Sequence, residues 1–104
     1  MKKDNIYSMI GLATRAGKTV SGEFSVENAV KGGRAYLVIL PCDASDNTKK
    51  KFTNMCSYYE VPIHFHGNKE ELGHAMGKEQ RSSMALLDEG FANAVEQKLE
   101  LKSE

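Results

Sequence analysis

Six residues in the middle of the chain, Ala35-Tyr36-Leu37-Val38-Ile39-Leu40, constrain what can surround them. The run is short for a helix and shows no apolar–polar alternation, so it reads as a strand covered on both faces. It stops at Pro41, which cannot donate to a strand ladder. A strand with two apolar faces requires a layer of helix on each side, and the rest of the chain supplies them.

Ile6, Met9, Ile10 and Ala13 fall at i, i+3, i+4 and i+7, one face of a helix. Asp4 or Asn5 is placed to cap its start, and Gly17 to end it in the left-handed conformation. Residues 18–21 read as a short strand. Gly22 opens a second helix with Val26, Ala29 and Val30 inward, closed by Gly32-Gly33. Ser45 or Asp46 begins a third, burying Phe52, Met55, Cys56 and Tyr59. Residues 61–65 form a strand in which Pro62 suits the start or an edge. Asn68 with Glu71 makes a capping box for a short helix over residues 69–76. Residues 83–87 are the last strand, and Asp88 caps a final helix that turns Phe91, Val95 and Leu99 inward. Helix and strand alternate without a long linker or repeat, in a length that holds one core. The prediction is an α/β fold: a three-layer α/β/α sandwich with a mixed sheet of about four strands, residues 1–104 forming a single domain.

Composition excludes several classes. With 40% hydrophobic and 27% charged residues the chain is neither disordered nor membrane-embedded, and no apolar run approaches the ~20 residues of a membrane span. Met1-Lys2-Lys3-Asp4 leads into an amphipathic pattern rather than an export signal, so a cytoplasmic protein is expected, with Cys42 and Cys56 as reduced, buried thiols. Net charge is zero, but residues 1–51 carry nine Lys/Arg against five Asp/Glu and residues 52–104 the reverse. That distribution disfavours broad phosphate binding and permits a small basic site.

Catalytic signatures fail on inspection. Gly17-Lys18-Thr19 imitates the end of a phosphate-binding loop, but the required glycine five positions earlier is Leu12, and the motif must open a helix rather than end one. His64 and His66 share a strand face, yet no spacing brings His74 or a cysteine to them as a third metal ligand. No nucleophile elbow or Cys/His pair appears. No enzyme, cofactor or metal is expected. Lys49-Lys50-Lys51, in the first turns of the third helix, reads as a solvated face, or alternatively as a phosphate contact or a patch touching a larger assembly.

One constellation is left. Arg15 and Lys18 bracket the first helix stop; Gly22 and Glu23 open the next helix, where free N–H groups await a phosphate or base edge. Asn28 and Lys31 follow along that helix, and the loop at residues 77–83 brings Lys78 and Arg81. Local signals alone leave this open between a polar binding patch and ordinary caps with surface charges.

The segments G-L-A-T-R-A-G-K-T-V-S-G-E (residues 11–23), A-Y-L-V-I-L-P-C-D-A-S-D-N-T-K-K-K (35–51), E-L-G-H-A-M-G-K (71–78) and A-L-L-D-E-G-F-A-N (85–93) together resemble a bacterial member of the kink-turn-binding ribosomal-protein family, whose archaeal representative is called L-seven-Ae. The resemblance implies an α/β/α sandwich, monomeric and non-enzymatic, that binds a kinked internal loop of structured RNA, ribosomal RNA above all, beside ribosomal proteins. In that family one loop reads tandem sheared G·A pairs and another packs on a flipped-out nucleotide, the usual way RNA is read through shape and unstacked bases. By position the first loop is Gly22, Glu23, Phe24 and Ser25, with Asn28 beyond. The second is Glu79, Gln80, Arg81, Ser82 and Ser83, flanked by Lys78. Arg15, Lys18 and Lys31 would neutralise phosphates, and Glu23 and Asn28 would read base edges. The archaeal pattern is G-x-N-E with a lysine one turn later. Here Phe24, Ser25 and Asn28 occupy those three positions, and the second loop is more polar than the family's apolar cap. Weaker or differently selective recognition is expected, with a protein–protein adaptor that keeps the fold as the alternative.

Overall fold

In the computed structural model, which describes residues 5–102, Leu37–Leu40 forms β2 and every one of its side chains is buried. Around it the chain runs α1 (Asn5–Arg15), β1 (Thr19–Ser21), α2 (Glu23–Lys31), β2, α3 (Asp46–Tyr59), β3 (Ile63–Phe65), α4 (Lys69–Ala75), β4 (Met84–Leu86) and α5 (Glu89–Lys102). The strand order is β1-β4-β2-β3, antiparallel except for the β2–β3 pair, so the sheet is mixed.

The two faces of β2 feed separate cores. Leu37 and Ile39 join Met84 and Leu86 beneath Ile6, Ile10 and Ala13 of α1, Leu72 of α4, and Ala92, Val95 and Leu99 of α5. Val38 and Leu40 join Ala85 against Val26, Ala29 and Val30 of α2 and Phe52, Met55 and Cys56 of α3. This is the expected three-layer sandwich. Each fully buried Leu, Ile or Phe contributes about 1.5–3 kcal/mol relative to exposure, which is why period-3.6 apolar stripes dictate the helix orientations.

The caps follow the sequence. Gly17 ends α1 at φ 73°. Ser45 Oγ accepts the Thr48 amide at 3.1 Å, Asn68 Oδ1 the Glu71 amide at 2.8 Å, and Asp88 Oδ2 the Phe91 amide at 2.9 Å. The Glu71 carboxylate, however, accepts the Tyr7 hydroxyl at 3.2 Å, tying α4 to α1. The alternative cap Asp4 lies outside the described residues. Two burial expectations need correction. Tyr59 is 40% exposed, because it is the last residue of α3, which stops at the left-handed Glu60; its ring meets Tyr58 edge-on. Cys42 is exposed in the turn after β2, whereas Cys56 is buried and desolvation pushes its thiol up to about 11. No helix among the described residues is long and apolar enough to cross a membrane.

Candidate nucleic-acid interface

Because β1 and β4 are antiparallel with Ser21 opposite Met84, the residue after β1 meets the residue before β4. The Gly22 amide donates to the Ser83 carbonyl at 3.1 Å. Gly22 stands at φ 93°, ψ 154°, a region essentially reserved for glycine, and turns the chain straight from strand into α2. Its carbonyl accepts the Val26 amide at 3.0 Å, and no side chain caps this end. The first-turn amides of Glu23, Phe24 and Ser25 therefore lack intrahelical partners and face outward with the positive end of the helix dipole.

The opposite wall is the loop after α4. The Lys78 amide reaches the Gly73 carbonyl at 2.9 Å and the Gly77 amide the His74 carbonyl at 3.0 Å, the paired bonds of a Schellman stop. A Cβ on Gly73 would lie 1.9 Å from the Glu79 carbonyl oxygen and 2.8 Å from Gln80 Cα, so the loop backbone lies directly against α4. Arg81 is then fastened from both directions. Its amide donates to the Lys69 carbonyl at 3.1 Å; Nε donates to Ser21 Oγ at 3.0 Å and Nη1 to the Gln80 carbonyl at 3.1 Å. The guanidinium fork has more N–H donors than these two bonds use.

Between the walls lies a pocket of about 360 Å³. Ser21, Gly22 and Glu23 form one side, residues 80–83 the other, and Thr48 from the first turn of α3 closes it. The structure thus gathers Gly22, Glu23, Gln80, Arg81 and Ser82 from the predicted set. Phe24 and Asn28, at i and i+4, continue from it as an exposed stripe of α2, with Phe24 76% exposed. Ser25 is half-buried, and Lys78 and Glu79 are exposed on the loop.

Three predicted cations lie elsewhere. Lys18 sits at the far end of β1, its carbonyl accepting the Leu87 amide at 2.8 Å. Arg15 lines a separate groove between α1 and α4, with Leu12 and His74. A three-residue strand, roughly 10 Å, separates both from Gly22. Lys31, in the last turn of α2, is paired with Glu27 at 2.8 Å.

Glu23 is not a free reader of base edges: Lys51 Nζ holds its carboxylate at 2.6 Å and Glu27 at 3.0 Å. Lys51, though still partly solvated, is therefore a strut between α3 and α2 rather than a free surface cation. Hydrogen bonds from Lys31 and then Lys51 hold the Glu27 carboxyl below its ordinary value, and both ammonium groups are held above theirs. Ser21, Thr48 and Lys51 are the site residues that the sequence did not single out, whereas Ser83 ends the second loop that the resemblance marked. A basic run hinted at Lys51 alone. The histidines also part company. His66 packs its ring 5.1 Å from that of Tyr7. His64 Nε2 lies 3.2 Å from Glu96 Oε2, with Glu100 near, and neither His74 nor a cysteine joins that group.

Residues 4–96 match the ribosomal protein L7Ae/L30e/S12e/Gadd45 family. The chain is 47% identical over 87 residues to RNA-binding protein YlxQ of Bacillus subtilis, covering 84% of this chain and 87% of that protein. It is 38% identical over 90 residues to large ribosomal subunit protein eL30 of Tetrahymena thermophila, covering 85% and 86%. Among solved structures, a Bacillus halodurans protein of unknown function superposes with a TM-score of 0.92 at 37% identity, covering 94% of this chain and 99% of the other.

Proposed function

The chain belongs to the ribosomal protein L7Ae/L30e/S12e/Gadd45 family, and from that premise we propose that it is a non-enzymatic RNA-binding protein of the ribosomal type, recognising a kink-turn or similar kinked internal loop. It acts as a cytoplasmic monomer, and its mechanism is selection of the bent RNA conformation from an ensemble. The observation that carries this reading is the pocket itself, where the uncapped start of α2 faces the Arg81 loop. Helix-terminal amides and an arginine fork together suit phosphate oxygens and base edges, and the exposed Phe24 beside them offers a face on which an unpaired base stacks. Asn28, on the same stripe, both donates and accepts at a base edge. Lys51 brings an ammonium group to the first turns of α2, against Glu23 and Glu27. Arg15, Lys18 and Lys31 contribute longer-range positive potential rather than contacts in the pocket.

The test is a titration at ~0.15 M salt against a kink-turn RNA and the same RNA with its G·A pairs replaced by Watson–Crick pairs. A preference of tenfold or more, about 1.4 kcal/mol, is expected. Arg81→Ala should weaken binding and flatten the salt dependence by about one unit of slope. Equal affinity for the two RNAs would overturn kink-turn selectivity. A second reading, a protein–protein adaptor on this fold, is favoured by the exposed Phe24 standing where the archaeal pattern keeps asparagine; it predicts no measurable RNA affinity at all.

A further inference from the structure

The sheet edge opposite the RNA pocket gathers a second set of polar side chains. In the order β1-β4-β2-β3, β1 borders the pocket and β3 is the other edge. His64 of β3 pairs in parallel register with Ile39, so its ring stands on the face that Ile39 turns toward α1 and α5. Val95 and Leu99 of α5 are buried against that face. Glu96 and Glu100, each one residue further on, run along the margin of the buried stripe, one helical turn apart. The three side chains converge. His64 Nε2 lies 3.2 Å from Glu96 Oε2, and one donor atom from each of His64, Glu96 and Glu100 lies within 4.8 Å of the others. Two carboxylates at i and i+4 repel each other and destabilise a helix. Glu23 and Glu27 on α2 are the same pair, and there Lys51 lies between them. Among the described residues no lysine or arginine pairs with Glu96 or Glu100.

We propose that His64, Glu96 and Glu100 bind one zinc-class dication, which clips α5 to the β3 edge of the sheet. Two carboxylates and a neutral imidazole balance its double charge. A donor set of one nitrogen and carboxylate oxygens suits a borderline first-row ion such as zinc; calcium and magnesium prefer shells made of oxygen alone. Bonds of about 2.0–2.2 Å around a tetrahedral zinc place neighbouring donors roughly 3.4 Å apart. His64 and Glu96 already stand near that separation. Glu100 is exposed, so its side chain is free to turn between rotamers and close the remaining distance. Water takes the fourth position. The site draws on no residue of the RNA pocket and does not depend on the RNA reading. Spacing could not disclose it, because 32 residues separate His64 from Glu96.

The experiment strips the full chain of metal with a chelator and titrates it with zinc by calorimetry. One zinc per chain should bind, and free zinc a hundredfold above Kd should raise the melting temperature by about 10 °C. Glu100→Gln changes an exposed side chain and should fold and melt like wild type without metal. It should bind zinc at least about tenfold more weakly, because losing one of three ligands must exceed the loss of an outer partner. His64→Gln should weaken zinc binding to a similar degree. Cys42→Ser, which removes the exposed thiol, should bind zinc as wild type does. The proposal is overturned by an absence of saturable zinc binding, or by wild-type affinity in Glu100→Gln or His64→Gln. A loss of binding in Cys42→Ser overturns it too, since the thiol would then be a ligand. So does magnesium raising the melting temperature as much as zinc, which would mean that the carboxylates act without the imidazole.

Discussion

The two walls of the candidate site are held by opposite means. On one side the loop after α4 is set by backbone fit: the two bonds of the Schellman stop, the Arg81 amide on Lys69, and Glu79–Gln80 lying where a Gly73 side chain would be. On the other, the first two turns of α2 are tied to α3 by the chain of exposed pairs Glu23–Lys51–Glu27–Lys31. Backbone fit is insensitive to salt and intolerant of a single methyl group. Exposed ion pairs are tolerant of substitution and screened by salt. The loop therefore fixes the geometry of the pocket, whereas the α2–α3 seam tunes its charge.

Gly73→Ala attacks the first wall and should have the largest effect. Alanine in mid-helix would ordinarily gain about 1 kcal/mol over glycine. Here the new Cβ meets backbone atoms at 1.9–2.8 Å, and neither α4 nor the loop can move without breaking the Schellman bonds. Overpacking of this kind costs about 1–3 kcal/mol, so a net loss of stability is expected in urea denaturation, with RNA affinity down tenfold or more as Arg81 shifts. A variant as stable as wild type, binding RNA as well, would show that the loop does not depend on that close approach.

The same contrast explains what the sequence disclosed. Backbone-determined features leave residue-type signatures at fixed local spacing. The two glycines of E-L-G-H-A-M-G-K, Gly22 before α2, the caps Asn68 and Asp88, and the apolar β2 run were all legible for that reason. Side-chain partnerships across the fold leave none. Lys51 reaches Glu23 over 28 residues of sequence, and only the packing of α3 on α2 brings them together. Thr48 enters the pocket only because the first turn of α3 lies beside the start of α2, a placement that periodicity does not encode. Arg15 and Lys18 misled in the converse way. They are close to Gly22 in sequence, but an intervening strand carries them to the other end of the sheet edge. Tyr59 continued the apolar spacing of α3 into its last, exposed residue.

Lys51→Ala tests the second wall and should be milder. Removing the ammonium leaves Glu23 uncompensated, and Glu27 with Lys31 alone, beside the start of α2, where RNA phosphates would approach. Binding at low salt should weaken a few-fold while the fold is retained. The difference from wild type should fade at about 1 M salt, where screening acts over roughly 3 Å. Gly73→Ala offers the control, because its defect should persist at every salt concentration. Were the Lys51→Ala defect equally salt-independent, the lysine would be packing α3 onto α2 rather than supplying charge.

The smallest effect is in the pH dependence of the seam. Hydrogen bonds from Lys31 and then Lys51 lower the Glu27 pKa from its ordinary 4.5, so its contribution is complete above 4.5 and is lost as pH falls through the lowered folded value. Lys51, bonded first to Glu23 and then to Glu27, and Lys31, bonded to Glu27, are raised from 10.5. Their contribution is complete below 10.5 and is lost as pH rises through the raised values. Thermal melts of wild type and Glu27→Gln should therefore differ by a small, constant amount between about pH 5 and pH 10 and converge on both sides of that plateau. Because all these groups are at least partly exposed, the difference should also shrink with added salt. A gap that persisted unchanged into acid would mean that Glu27 acts through packing of its aliphatic stem. The seam would then resemble the loop it is contrasted with, and the division of labour between the two walls would be wrong.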